Sequence, residues 1–224
     1  AVEQLPGFAE GAWWVQDAAA SLPARLLGEV RGRAVIDLCA APGGKTAQLA
    51  AAGAEVTAVE LSALRSARLR ENLARLGLDA RLAVADAAEW RPERPAELVL
   101  LDAPCTSTGT IRRHPDIPWH KTPEEVARMA EVQARLLRAA ADMLAPGGRL
   151  VYASCSLQPE EGPAQIERLL AGGAPVERDP IRAEELGGLP LAPTPDGEVR
   201  TLPCDMVERG GLDGFFIARL RRPT

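Results

Sequence analysis

The stretch Ala34-Val35-Ile36-Asp37-Leu38-Cys39-Ala40-Ala41-Pro42-Gly43-Gly44-Lys45-Thr46 decides the fold of this chain. Ala34 to Leu38 is a short apolar run bounded by turn residues, which reads as a buried strand. Pro42-Gly43-Gly44 ends the extended run, and a helix is expected from about Lys45. Strand, glycine-containing turn and helix form the opening unit of a parallel α/β sheet. The same alternation continues downstream. Glu55 to Val59 reads as a second strand ending at Glu60. Ser62 is placed to cap a helix with Leu64, Leu69, Leu73 and Leu76 on one face, and Gly77 to end it. Ala80 to Val84 is a third strand with Asp86 just beyond it, and Glu97 to Leu101 a fourth, ending at Asp102. A long loop is expected over Ala103 to Lys121. Thr122-Pro123-Glu124-Glu125 then combines an N-cap, a proline at the first helical position and a glutamate three residues after the cap. Its helix carries Val126, Met129, Val132, Leu136, Leu137, Ala140 and Leu144, and stops at Pro146-Gly147-Gly148. Leu150 to Ala153 is a fifth strand, Glu160 to Leu170 a further helix, and Gly214 to Leu220 a last strand. The spacing predicts a doubly wound, mostly parallel sheet. Residues 1–30, with an alanine-rich helix, are expected to form an N-terminal arm packed on a domain of residues 31–224.

Composition bounds the function. At 224 residues, with 46% apolar and 25% charged side chains, the chain suits one globular domain. No apolar run approaches the roughly 20 residues that cross a bilayer, and no secretory leader is evident, so no membrane partner is expected. The start at Ala1 fits a piece of a longer protein. Cys39, Cys105, Cys155 and Cys204 lie far apart, without a CxxC pair, and His114 and His120 are not spaced with them as metal ligands. Reduced thiols, a cytoplasmic location and no metal are the expectations. The 26 basic against 31 acidic residues give a net charge of −5, which is awkward for a protein that must hold phosphate.

The polar residues cluster where an open α/β sheet binds ligands, beyond the carboxyl ends of its strands: the loop after Leu38, then Glu60, Asp86 and Asp102. Gly44-Lys45-Thr46 resembles the end of a nucleotide-binding P-loop, but the required first glycine falls at Cys39, and no GxGxxG is present. A glycine turn followed by Glu60 about 20 residues on still fits a nucleoside cofactor, because a carboxylate there can accept hydrogen bonds from ribose hydroxyls.

Asp37-Leu38-Cys39-Ala40-Ala41-Pro42-Gly43-Gly44-Lys45-Thr46 resembles motif I of the Sun (Fmu) family of RNA cytosine-5 methyltransferases. Asp102-Ala103-Pro104-Cys105 resembles its motif IV, and Ser154-Cys155-Ser156 its motif VI, where Thr-Cys-Ser is commoner. Gly109 to Ile117 is similar to the loop of the members of the ribosomal RNA small subunit methyltransferase B type. The motifs fall in the family's order and span nearly the whole chain. The resemblance implies a Rossmann-like, seven-stranded fold and S-adenosylmethionine as methyl donor, with S-adenosylhomocysteine as product. It implies that Cys39, Ala40, Ala41, Pro42, Gly43, Gly44 and Lys45 wrap the methionine part, that Glu60 holds the ribose (the family often has Asp), that Arg65 lies beside the adenosine, that Asp86 binds the adenine amino group, and that Asp102 lies between cofactor and substrate. It implies an RNA substrate, 16S ribosomal RNA foremost, with transfer RNA or a catalytically silent RNA-binding module as alternatives. Such proteins usually carry an N-terminal RNA-binding region, part of it similar to the antitermination factor NusB, for which this chain has no room. A monomer is expected.

The chemistry explains why two cysteines matter. Carbon-5 of cytosine is a poor nucleophile. Thiolate addition to carbon-6 converts the ring to an enamine that can take a methyl group at carbon-5. A base must then remove the carbon-5 proton so that the thiol can leave. Cys105 and Cys155 follow the fourth and fifth strands, which neighbour each other in a doubly wound sheet. The resemblance makes Cys155 the nucleophile and Cys105 the base. It further has Asp102 hydrogen-bond the cytosine ring and Lys45 orient that carboxylate, with Pro104 holding the turn that presents Cys105. Cys39 is expected to contribute backbone, and Cys204 to be a structural thiol. In the 103–121 loop, Arg112, Arg113, His114, Lys121 and Trp119 are the candidate RNA contacts, set against a solvated loop with Trp119 packed inward. Phe215 and Phe216, like Trp13 and Trp14, are expected to pack.

Overall fold

A computed structural model describes residues 1–224. The strands are β1 (Ala34–Leu38), β2 (Glu55–Glu60), β3 (Arg81–Val84), β4 (Ala96–Asp102), β5 (Leu144–Ser154), β6 (Glu177–Arg178), β7 (Val199–Thr201) and β8 (Phe215–Arg221). The helices are α1 (Ala18–Arg25), α2 (Gly44–Ala51), α3 (Ala63–Leu76), α4 (Ile117–His120), α5 (Pro123–Asp142) and α6 (Pro163–Ala171).

One mixed sheet runs β3-β2-β1-β4-β5-β8-β6, with β7 also paired to β8. The pairs from β3 through β5 are parallel, and β8 lies antiparallel to β5. β6 pairs with the end of β8 and β7 with its beginning, so two short strands share one edge and the sheet has eight strands where seven were expected. The chain winds outward from β1 to β3, then returns to place β4 on the other side of β1. That reversal opens the crevice in which such sheets bind ligands.

Both faces of the central strands are buried, and alternation decides which residue meets which layer. Ile36, Leu38, Val99, Leu101, Leu150, Tyr152, Phe216 and Ala218 pack with Leu136, Leu137 and Ala140 of α5 and Ile166 and Leu169 of α6. Val35, Leu98, Leu100, Val151, Ala153, Phe215 and Ile217 pack with Leu22 of α1 and Leu49 of α2. Helix α3 adds Leu69 and Leu73 against Ala47 and Ala58. The N-terminal segment therefore inserts Leu22, Leu26 and Leu27 into this core.

Three elements differ from the sequence expectation for local reasons. Leu64 is 82% exposed, because it sits in the first turn of α3, away from the Leu69–Leu73 stripe. Leu144 opens β5 instead of closing α5: it pairs with Ala96, and the residues before Arg149 form an irregularity in that strand. The 103–121 loop holds a 3₁₀ turn at Thr108–Thr110 and the four-residue α4.

Candidate active site

The loop after β1 turns sharply at Cys39 (φ 60°) and Gly43 (φ 104°) before α2 begins. Glycine at position 43 suits both the left-handed backbone and the packing, since a Cβ there would lie 3.1 Å from Leu69 Cγ. The turn lays the backbone of Ala40 and Ala41 against β2: Ala40 N–H donates to Val59 O (3.2 Å) and Ala41 N–H to Glu60 Oε2 (3.3 Å). Glu60 is 3% exposed, and its Oε1 accepts from Ser62 N–H at 3.0 Å. Arg65 reaches back to the same turn, donating to Ala41 O at 2.6 Å with Glu60 Oε1 at 3.5 Å. Asp86 stands two residues beyond the last β2–β3 pair, Glu60↔Val84, and accepts from Ala88 N–H at 2.9 Å. Glu60, Arg65 and Asp86 thus lie along one rim of the crevice.

Across the crevice, Lys45 Nζ donates to Asp102 Oδ2 at 2.6 Å, joining α2 to the end of β4. Burial works against the charge of Lys45, but the adjoining Asp102 carboxylate outweighs it and holds the ammonium above its usual range. Lys45 also lies 5.3 Å from the Phe215 ring centroid. Asp37, on the inner side of the same turn, is fully buried. It accepts from Thr46 Oγ at 2.6 Å through Oδ2, while Oδ1 has no partner. Burial pushes its carboxyl up to about 7, against the pull of Thr46.

The two cysteines expected to work together do meet: Cys105 Sγ and Cys155 Sγ are 3.3 Å apart, with Ser107 Oγ 3.9 Å from the first and 3.7 Å from the second. Cys105 is displaced below the usual thiol range by its hydrogen bond with Cys155, and Cys155 is driven well above it by the same bond. The cause is mutual, since one proton bridges two sulfurs and losing the second leaves adjacent like charges. Cys39 is a separate case: burial pushes its thiol up to about 12, which suits a backbone role. Cys204 is exposed, so it is not a core thiol.

A cavity of about 520 Å³ is lined among others by Asp37, Pro42, Lys45, Asp102 and Cys155, with Glu60, Arg65, Asp86 and Cys105 outside its lining. The N-terminal segment contributes Val15, Gln16 and Asp17 to its wall. Arg112 and Arg113 line it too, but are engaged. Arg113 forks onto Asp213 (2.6 to 3.2 Å), and Arg112 bridges Asp17 at 2.8 Å and Asp213 at 3.4 Å. Trp119 projects into solvent with 86% of its surface exposed. The sequence reading did not single out Asp37, Asp213 or Glu161. Each is an acid inside an ordinary strand or turn pattern, and only its burial marks it. Phe215 was assigned to packing and does pack, but it also faces Lys45.

A profile of the family described as 16S rRNA methyltransferase RsmB/F matches residues 24–221. The chain belongs to this family. The ribosomal RNA small subunit methyltransferase B of Pseudomonas syringae pv. tomato is 45% identical over 98% of this chain and 49% of its own length. The chain therefore spans about half the length of the curated relatives it matches. Among solved structures, NSun6 from Pyrococcus horikoshii, determined with SFG, superposes with a TM-score of 0.86 and 27% identity, covering 100% of this chain and 56% of that one. A methyltransferase homolog protein from the same organism gives a TM-score of 0.77 and 30% identity over 99% of this chain and 72% of its own. SFG is an analogue of S-adenosylmethionine. The RsmB/F chain offers features that fit that nucleoside: a carboxylate held at the end of β2, a turn that brings backbone to the crevice, and an unpartnered carboxylate oxygen at Asp37 beside the cavity.

Proposed function

We propose that this RsmB/F-family chain transfers a methyl group from S-adenosylmethionine to carbon-5 of a cytosine in RNA, with 16S ribosomal RNA as the substrate. The observation that carries this reading is the 3.3 Å approach of Cys105 and Cys155 at the ends of β4 and β5. A methyltransferase acting on an amine or hydroxyl needs no such pair. Carbon-5 chemistry needs both a thiol that adds and a group that later takes a proton.

Glu60 and Asp86 would hold the ribose and adenine, Arg65 would flank the adenosine, and the backbone from Cys39 to Gly44 would wrap the methionine part. When bound, S-adenosylmethionine supplies an electrophilic methyl group on a sulfonium. Cys155 adds through Sγ to carbon-6 of the cytosine, and its proton passes by way of Asp102 to ring nitrogen-3. Asp102, held at Oδ2 by Lys45, has Oδ1 without a protein donor and hydrogen-bonds the ring during addition. Once carbon-5 carries the methyl group, Cys105 as thiolate takes the carbon-5 proton, the Cys155–carbon-6 bond breaks, and the nitrogen-3 proton returns to Cys155. The target base must leave its stack to reach two half-buried thiols. Residues 1–30 act as an arm that closes one wall of the cavity.

The test is transfer of a labelled methyl group to cytosine in 16S RNA by the wild type and by Cys155→Ala. Transfer to carbon-5 that is lost in the variant is expected. Methylation at another atom, or full activity without Cys155, overturns the proposal.

A further inference from the structure

Below the two cysteines lies a carboxylate that the reaction itself does not use. Glu161, in the 3₁₀ turn Pro159–Glu161, is 0% exposed. Its Oε1 accepts from Thr106 N–H at 2.9 Å and from Gln133 Nε2 at 3.0 Å. Its Oε2 accepts from Ser156 Oγ at 2.5 Å and from Thr106 Oγ. Thr106 follows Cys105 and Ser156 follows Cys155, so one carboxylate grips the residue after each thiol. Gln133 extends the grip by donating to Pro104 O at 2.8 Å, the residue before Cys105. Tyr152 anchors the carboxylate's own backbone to β5, donating to Glu161 O at 2.8 Å.

The proton inventory gives this network a direction. The single hydroxyl proton of Ser156 goes to Glu161, so Ser156 Oγ must accept from Thr108 Oγ, 3.1 Å away. Thr108 Oγ in turn accepts from Leu157 N–H at 2.8 Å. Gly109 N–H donates to Cys155 O at 2.9 Å, tying the two turns once more. A carboxylate offers only acceptors and can meet four converging donors. A glutamine of the same shape offers one accepting oxygen and two N–H groups, and the hydroxyls would have to reverse.

We infer that Glu161 is a positioning residue that sets the spacing of Cys105 and Cys155 by clamping Thr106 and Ser156 to one buried carboxylate. The inference rests on the proposed reaction for its meaning but on the hydrogen bonds for its geometry. Loosening the clamp lets the sulfurs drift from each other and from the bound ring, and misplacement on the scale of 1 Å costs on the order of 100-fold in rate.

Two variants test it in the full chain, Glu161→Gln and Ser156→Ala, the second removing the link to the Cys155 turn together with the bonds of Ser156 Oγ to Thr108 and Gln158. Two readouts are taken. In methyl transfer, kcat is expected to fall about tenfold or more in both variants while KM for S-adenosylmethionine stays within about twofold, because the nucleoside rim is not part of the clamp. In thiol bridging, dibromobimane, which fluoresces when it links two neighbouring thiols, is expected to bridge Cys105 and Cys155 in the wild type and much less in either variant. Wild-type bridging in both folded variants overturns the clamp, as does an unchanged kcat. The bridging readout needs no methyl transfer, so an inactive wild type would remove the proposed reaction and still leave the clamp to be decided.

Discussion

At the residue scale, Asp37 carries a cost that the cavity makes intelligible. Its carboxyl ionises at about 7 in the folded protein against 3.8 when unfolded. A raised pKa means that the native state holds the proton longer than the unfolded chain. The stabilisation is complete below the unfolded value and is lost as pH rises through the folded one, a swing on the order of 4 kcal/mol. Asp37→Asn should abolish that slope, so that its contribution to thermal melting between about pH 4 and pH 7 becomes flat where the wild type loses stability. A wild-type slope in the variant would place the titration elsewhere. The cysteine pair makes a second prediction at this scale. Because one proton is shared, Cys155 should alkylate slowly in the wild type at about pH 8 and faster in Cys105→Ser, where no neighbouring thiolate opposes its ionisation. Peptide mass spectrometry after iodoacetamide treatment measures both. Residues inside motifs were legible in the sequence: Lys45, Asp102, Cys105 and Cys155 stand together as the resemblance implied. Glu161 was not, nor was the burial of Asp37 although it opens motif I, because a buried and an exposed carboxylate have the same letter, and only tertiary packing separates them.

At the scale of elements, the strand ends do the placing. β1, β4 and β5 are adjacent, so the turns after them deliver Lys45, Cys105 and Cys155 to one crevice. This was readable from the alternation of strand and helix, since apolar period and turn residues act locally. The antiparallel edge was less readable. β6 and β7 span two and three residues, too short for any period, and they exist because β8 presents a free edge. The loop after Cys105 depends on close backbone contact: a Cβ on Gly109 would lie 1.9 Å from Gly214 O. Gly109→Ala must therefore push β8 away from the Cys155 turn. A stability loss of roughly 1–3 kcal/mol is expected from overpacking, together with loss of dibromobimane bridging. Retention of both would show that the loop position is set elsewhere. The basic character of the 103–121 loop was legible, but the pairing of Arg112 and Arg113 with Asp17 and Asp213 was not, because those partners are about a hundred residues away in sequence.

At the scale of the whole molecule, charge and length point the same way. The net charge is −5, and the two arginines nearest the cavity are paired with Asp17 and the buried Asp213. Phosphate contact supplies most of the affinity in RNA binding. This chain alone should therefore bind RNA with a dissociation constant on the order of 10⁻⁶ M or weaker at physiological salt, with a shallow salt dependence. Fluorescence anisotropy across a salt series checks it, and tight binding with a steep salt dependence would contradict it. The curated relatives are about twice as long as this chain, and we propose that RNA capture belongs to segments outside it.

In the proposed reaction two touching thiols carry unequal roles. The direct measurement is to incubate Cys105→Ala with S-adenosylmethionine and 16S RNA, resolve the mixture under denaturing conditions, and map any protein–RNA adduct by peptide mass spectrometry. The account predicts an adduct on Cys155 that accumulates because the carbon-5 proton is not removed, and that disappears when Cys155→Ala is added. An adduct that survives the loss of Cys155 would contradict it.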